Sequence, residues 1–250
     1  MKRKKQGNVE WLEFELLSEQ PMVSHGIFLR QGGVSTGNFS SLNLAYDLGD
    51  VPESVALNLE SVRKGMGISK LVWAKQCHGT SIAVIDEKSS ESLVNTDGFM
   101  TQTKGIASLV KHADCQAAIF YDPIHHAIAN IHSGWRGSVQ NIYAATIEAM
   151  NATYQSSPEN ILVCISPSLG PIAAEFLDYK KELPEHFWDF KNDSSCFNFW
   201  EISRSQLRKE GVLPHHIEIA ELCTYSDSED FFSYRRNKLT GRHGTVAMLL

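Results

Sequence analysis

Apolar and polar residues alternate loosely over 9–17 and again over 23–30, and the turn-forming Ser18-Glu19-Gln20-Pro21 between them predicts a β-hairpin. Gln31-Gly32-Gly33-Val34-Ser35-Thr36-Gly37-Asn38 then reads as a donor-rich loop. Pro52 suits a first helical turn, and Val55, Leu59, Val62 and Met66 recur at helical spacing, so one amphipathic helix is expected to end near Gly65 or Gly67. The middle of the chain reads as strands at 71–75, 81–85, 105–111, 116–121 and 125–131, the last two separated by the turn residues Asp122-Pro123-Ile124. From Arg136 the period changes, and Val139, Ile142, Tyr143, Thr146 and Met150 mark one face of a helix. A strand at 161–165 and a loop at 166–171 follow. The remainder holds a helix around 202–209, strands near 217–220 and 231–235, and a final apolar strand at 245–250.

No linker, low-complexity tract or repeat interrupts this order, so residues 1–250 read as a single domain. Strands in runs with interspersed helices predict an α/β (mixed α+β) fold, with mixed β-sheets flanked by helices instead of a regular βαβ series.

Charge narrows the class of partner. The chain has 23 Lys+Arg and 29 Asp+Glu, a net of −6. Four of the positive charges sit at residues 2–5, so the body of the chain is more acidic still. Such a body does not hold a phosphate backbone by charge, which argues against nucleic acid and leaves room only for a local anion site. The longest apolar runs, such as 117–121 and 161–165, fall well short of the roughly 20 residues a membrane helix needs, so no membrane partner is expected. The basic start runs into Gln6-Gly7-Asn8 with no apolar stretch behind it, and the cytoplasm is the expected compartment. Five widely spaced cysteines with no C-x-x-C pair then read as free thiols.

Three segments place polar, metal-capable residues at the ends of apolar strands: Lys75 to Gly79, Lys111 to Cys115, and Asn130 to Gly137. His78, Cys115 and His132 are too far apart to form a local ligand motif, so a His2Cys set would have to be assembled by folding. Imidazole and thiolate suit zinc, and three protein ligands leave a fourth position for water or substrate. The same residues also allow Cys115 as a nucleophile with His78 or His132 as its base and Asp114 nearby. Ordinary buried thiols and locally hydrogen-bonded histidines remain a third option. For an anion, Arg30 precedes a Gly-rich loop, and Ser133-Gly134-Trp135-Arg136-Gly137 opens a helix whose first N–H groups are unpaired. Arg235, Arg236 and Arg242 gather further positive charge near the C-terminus. His125-His126 and His215-His216 point to opposite faces if they lie in strands and form no chelate by themselves.

An ordered set of motifs carries a resemblance over nearly the whole chain. His25-Gly26, Arg30-Gln31-Gly32-Gly33-Val34-Ser35, Ser41-Leu42-Asn43-Leu44, Gln76-Cys77-His78-Gly79, Thr96-Asp97-Gly98 and Ala113-Asp114-Cys115 come first. His132-Ser133-Gly134-Trp135-Arg136-Gly137, Cys223-Thr224-Tyr225 and Phe231-Phe232-Ser233-Tyr234-Arg235-Arg236 complete it. Together these resemble the polyphenol oxidase or laccase-domain family, which has been reinterpreted as zinc-dependent purine nucleoside enzymes and has a branch described as a peptidoglycan editing factor.

The resemblance implies a single-domain sandwich of mixed sheets with a cysteine-hydrolase-like architecture. It implies zinc on His78, Cys115 and His132, and a purine nucleoside and phosphate as small-molecule partners. The implied activity is phosphorolysis of adenosine, inosine and methylthioadenosine together with adenosine deamination. The catalytic expectation falls on Cys115, Asp114 and His78, and phosphate binding on Arg30, Arg136 and Arg235. Alternatives are a hydrolase editing cell-wall precursors, a copper-dependent polyphenol oxidase, or a non-enzymatic binding module. A multicopper oxidase draws on many histidines in His-x-His pairs, whereas this chain has 10 histidines and no such pair. Copper at the same three ligands in vitro would give adventitious phenol oxidation. The chain departs from the family pattern in having Cys77 where a small apolar residue is usual and Ser133 where alanine is usual. Leu59 stands where an arginine is common, and 168–174 lacks the cysteines often seen there. The missing arginine weakens a phosphate role for that helix, and Cys77 adds a second thiol beside His78.

Overall fold

The computed structural model describes residues 1–250. The basic start is a strand: β1 (Lys2–Gln6) turns at Gly7 and pairs antiparallel with β2 (Val9–Glu13). Its side chains are all exposed, so no apolar alternation marks it. It is held by backbone pairing and by ion pairs such as Arg3 with Glu10 and Asp230. The hairpin expected at 9–17 and 23–30 is shorter than its pattern, because α1 (Glu15–Ser18) interrupts it before β3 (Val23–Phe28) returns against β2. Helix α2 (Pro52–Met66) runs as read, with Pro52 in its first turn. Gly67 ends it in the left-handed region at φ 66°, where a side chain would be strained.

Strand β4 (Lys70–Lys75) is followed by three short ones, β5 (Ile82–Val84), β6 (Ser92–Val94) and β7 (Gly98–Thr101). The long central strands are β8 (Ile106–His112), β9 (Gln116–Asp122) and β10 (Ala127–Ser133). The single helix expected from Arg136 is two, α3 (Trp135–Val139) and α4 (Ile142–Tyr154), broken at Asn141, whose φ is 55°. Then come β11 (Leu162–Ile165), α5 (Tyr179–Glu182), α6 (Phe199–Lys209), β12 (Ile217–Ile219) and β13 (His243–Leu249). The strand expected at 231–235 is irregular over 231–233 and then turns at 234–236. Its two phenylalanines are buried by tertiary docking, Phe231 against His243 with ring centroids 5.5 Å apart, and not by pairing in a sheet. The Arg236 guanidinium ties the segment down by donating to the carbonyls of Thr224, Tyr225 and Phe231.

The strands form a seven-stranded sheet, β1-β2-β3-β13-β8-β4-β6, and a six-stranded one, β12-β11-β9-β10-β7-β5. Both are mixed: β4 runs parallel to β6 and β8, β5 to β7 and β11 to β12, and the other pairs are antiparallel. The strand period decides the layers. Ala107 and Leu109 of β8 join Val55, Leu59 and Val62 of α2 in one core, while Ile106 and Val110 turn the other way, toward Phe99 and Ala117. In β9, Ile119 and Tyr121 pack with Ile27, Leu29 and Leu249 between the sheets, while Ala118 and Phe120 pack under α4 and α6. Strands β8 and β9 are therefore covered on both faces, which is why they read as continuous apolar runs. The result is a mixed α/β sandwich with helices on both outer faces. No helix is long and apolar enough to cross a membrane.

Candidate functional site

Folding brings the three separated strand ends together. His78 lies in the turn after β4 with φ 61°, Cys115 between β8 and β9, and His132 next to last in β10. Their ligand atoms all lie within 4.8 Å of one another, and the two imidazoles meet edge to face with centroids 4.8 Å apart. The three residues line one cavity of about 870 Å³, within the range for small-molecule sites. Trp135, Phe176 and Phe199 give it an aromatic wall, and Lys111, Arg235 and Arg242 bring positive charge to it.

Asp97, just before β7, organises the cluster. Its buried carboxylate accepts hydrogen bonds from the backbone N–H groups of Cys77 (3.2 Å), His78 (2.8 Å) and Gly79 (2.8 Å). The Cys77 thiol donates to it at 2.9 Å, and His132 Nδ1 lies 3.1 Å away. Burial alone would raise the Asp97 pKa, but these bonds, led by His132 and Cys77, hold it well below the ordinary carboxylate range. With its Nδ1–H given to Asp97, His132 leaves Nε2 as the nitrogen that exchanges a proton for a metal, the arrangement by which a carboxylate orients a metal-binding imidazole. Burial opposes charge at both Cys115 and His132. Each nevertheless favours the charged form of the other, so Cys115 is drawn toward the thiolate and His132 toward the imidazolium.

Two imidazoles and a thiolate gathered in this way fit a zinc ion and leave a fourth position for a reactant. The identity of the metal is a separate question, since the donors also suit copper. Cys77 turns its thiol to Asp97 and is not part of the convergent trio.

Gly134 abuts the trio. Its φ of −76° is ordinary, so only space forbids a side chain: a Cβ there would lie 2.8 Å from His78 Cδ2 and 3.1 Å from Cys115 Sγ. Gly134→Ala is expected to weaken zinc binding about 10- to 100-fold by pushing these two side chains apart, with the far-ultraviolet circular dichroism unchanged. Competition with a chromophoric chelator measures this, and wild-type affinity would show that the trio does not hold the metal.

The expected anion residues separate. Arg235 lines the cavity and donates through Nη2 to the Glu175 carbonyl at 3.0 Å. Arg30 does not line it: its guanidinium donates to the carbonyls of Ser40 and Ser228 and lies over the Phe232 ring, clamping two loops. Arg136 is exposed on α3 and stacks on Trp135 at 4.1 Å, away from the lining. Asp114 lines the cavity, yet its two oxygens accept from the Thr224 hydroxyl (2.7 Å) and the Arg235 backbone N–H (2.6 Å). The role of Asp97 and the positions of Lys111 and Gln116 in the lining were not legible in the chain. Gln116 Oε1 accepts from the hydroxyls of Tyr143 (2.7 Å) and Ser203 (2.9 Å), and this fixes which way its amide faces. Asp97 lies 19 residues beyond His78, and nothing in the spacing signals the contact.

A family model described as "Multi-copper polyphenol oxidoreductase laccase" matches residues 24–250. A "Purine nucleoside phosphorylase" of Bacteroides thetaiotaomicron is 32% identical over 244 residues, covering 90% of each chain. "Purine nucleoside phosphorylase YfiH" of Escherichia coli is 31% identical over 230 residues, covering 88% of this chain and 91% of that one. Among solved structures, a hypothetical protein YfiH of Bacillus licheniformis superposes with a TM-score of 0.89 at 24% identity, covering 99% of each chain, a likeness of fold.

Proposed function

The chain belongs to the multi-copper polyphenol oxidoreductase laccase family, and from that membership we propose that it is a purine nucleoside phosphorylase working at a metal held by His78, Cys115 and His132. The observation that carries the proposal is the convergence of these three donors on one aromatic-walled cavity. Relatives named purine nucleoside phosphorylase, alike over most of their length, supply the substrate class.

The proposed substrates are adenosine, inosine and methylthioadenosine. A phosphate oxygen bonds to the ribose anomeric carbon as the bond from that carbon to the purine nitrogen breaks. The bonding pair leaves with the purine, which takes up a proton, and the products are ribose 1-phosphate (methylthioribose 1-phosphate for methylthioadenosine) and the free base. Trp135, Phe176 and Phe199 offer flat faces for the purine. Gln116, with its carbonyl oxygen occupied and one amide N–H given to the Phe199 carbonyl at 3.3 Å, keeps a second N–H in a fixed orientation. Asp97 holds His132 and the backbone of residues 77–79 in place, and Asp114 keeps the Arg235 loop against the cavity. A zinc ion at the trio would supply Lewis-acid polarisation of a reacting oxygen. Deamination of adenosine by water, releasing ammonia and inosine, is proposed for the same cavity.

A second reading rests on the mutual charging of Cys115 and His132, which is also how a thiolate nucleophile is prepared. It would make the protein a hydrolase of cell-wall precursors. Purified zinc-loaded protein incubated with adenosine separates the two. With phosphate, ribose 1-phosphate and adenine are expected; without it, inosine is expected; a chelator should stop both reactions. Absence of all three products rejects the nucleoside reading, and Cys115 alkylation that abolishes a chelator-resistant activity supports the hydrolase.

A further inference from the structure

Lys111, next to last in β8, is fixed by its backbone: its N–H donates to Gln76 Oε1 at 3.0 Å and its carbonyl accepts from Gln76 Nε2 at 2.9 Å. Across the sheet it stands opposite Gly244, and Arg242 lies two residues before that glycine, just ahead of β13. Both side chains are half-buried and both line the cavity that holds the trio. The Lys111 ammonium has neither a hydrogen bond nor an ion pair. Arg242 donates through Nη1 to the carbonyls of Thr240 (2.9 Å) and Gly241 (3.0 Å), and its Nε and Nη2 are free.

Two cations lining one cavity, partly removed from water, repel each other. Burial lowers the pKa of Lys111, and Arg242 adds to the effect against the attraction of exposed Asp47, which lies beyond ion-pair distance. Burial also lowers that of Arg242, against the attraction of Cys115 and Asp114. An unpaired, desolvated charge is unfavourable, and a bound anion relieves it. An ammonium as a point charge beside a free guanidinium edge suits a tetrahedral oxyanion. Of the other candidate positions, Leu59 is buried in the apolar core beneath α2 and Arg30 and Arg136 do not line the cavity, whereas Arg235 lines it with only Nη2 engaged and adds a third cation to the same wall.

We propose that Lys111 and Arg242 form the anion subsite of the cavity and bind inorganic phosphate beside the His78, Cys115 and His132 cluster. That this phosphate is the attacking co-substrate rests on the phosphorolysis reading above.

The test is a calorimetric titration of wild type, Lys111→Met and Lys111→Arg with inorganic phosphate, alongside thermal unfolding to show that each variant folds. Lys111→Met is expected to weaken phosphate binding roughly tenfold or more, the scale of a lost charge-assisted hydrogen bond. Lys111→Arg is expected to restore most of it. Equal affinity in wild type and Lys111→Met, or no phosphate binding by wild type at tens of millimolar, overturns the subsite. A parallel assay for ribose 1-phosphate keeps the two claims apart. Lys111-dependent phosphate binding without that product leaves the subsite standing and sinks phosphorolysis. Product formed by Lys111→Met with the wild-type KM for phosphate does the reverse.

Discussion

Cys115→Ser is expected to strip the metal and to lower kcat/KM for phosphorolysis on the order of a thousandfold, the scale for a group acting on charge in the transition state. Cys115 supplies the one anionic donor of the trio, and its neighbours already draw it toward the thiolate. A serine hydroxyl has nearly the same shape and remains protonated at neutral pH, so the swap removes the charge and softness of the ligand with little change of packing. Because Cys115 sits partly buried in the turn between β8 and β9 and belongs to none of the apolar cores, the unfolding midpoint of the chelated protein should hardly move. Metal content per chain by atomic emission, together with ribose 1-phosphate formation, reads the effect. A variant that keeps stoichiometric zinc and full turnover would remove Cys115 from the site.

Asp97→Asn should have the larger effect on stability. The carboxylate is buried and surrounded by donors, three backbone N–H groups, a thiol and an imidazole. An amide replaces one accepting oxygen with a donor that has only donors to face. Breaking a buried charge arrangement of this kind costs about 3–5 kcal/mol, and losing the carboxylate behind a ligating histidine costs about 10- to 100-fold in metal affinity. The pH dependence gives the substitution a signature of its own. The folded Asp97 pKa is depressed, so its stabilisation is fully present above the unfolded value near about 4 and is lost as pH falls below it. Urea midpoints of chelated wild type and variant should therefore lie far apart at pH 7 and measurably closer at pH 3, the gap closing fully only in stronger acid, where the depressed folded carboxyl is protonated. A gap of the same size at both pH values would mean that the carboxylate charge is not what matters.

How far the chain could be read depended on whether a feature repeats locally. Helix α2 was visible because its buried face recurs every three or four residues and Pro52 and Gly67 punctuate it. Strands β8 to β10 were visible as apolar runs, since both of their faces are covered. Strands β6 and β7 were not, because a strand of three or four residues is defined by the neighbour it pairs with and carries no period of its own. Phe231 and Phe232 have the composition of a strand but are buried by docking. The three ligands stood out because imidazole and thiol at strand ends are chemically unusual. Asp97 and Lys111 lay in segments that stood out but their parts did not, because a carboxylate under a histidine and an ammonium without a partner are facts of three-dimensional arrangement. Arg30 and Arg136 show the converse: charge in a suggestive context, occupied by carbonyls in one case and by an indole in the other.

The position of β13 in the seven-stranded sheet bears on how the molecule is made. Residues 243–249 lie between β3 and β8, so both neighbours leave the ribosome with bare facing edges and wait for a strand not yet translated. Such edges invite pairing with other chains. Arg242 arrives with that same late strand, so a nascent chain can gather His78, Cys115 and His132 well before it gains its full complement of cations.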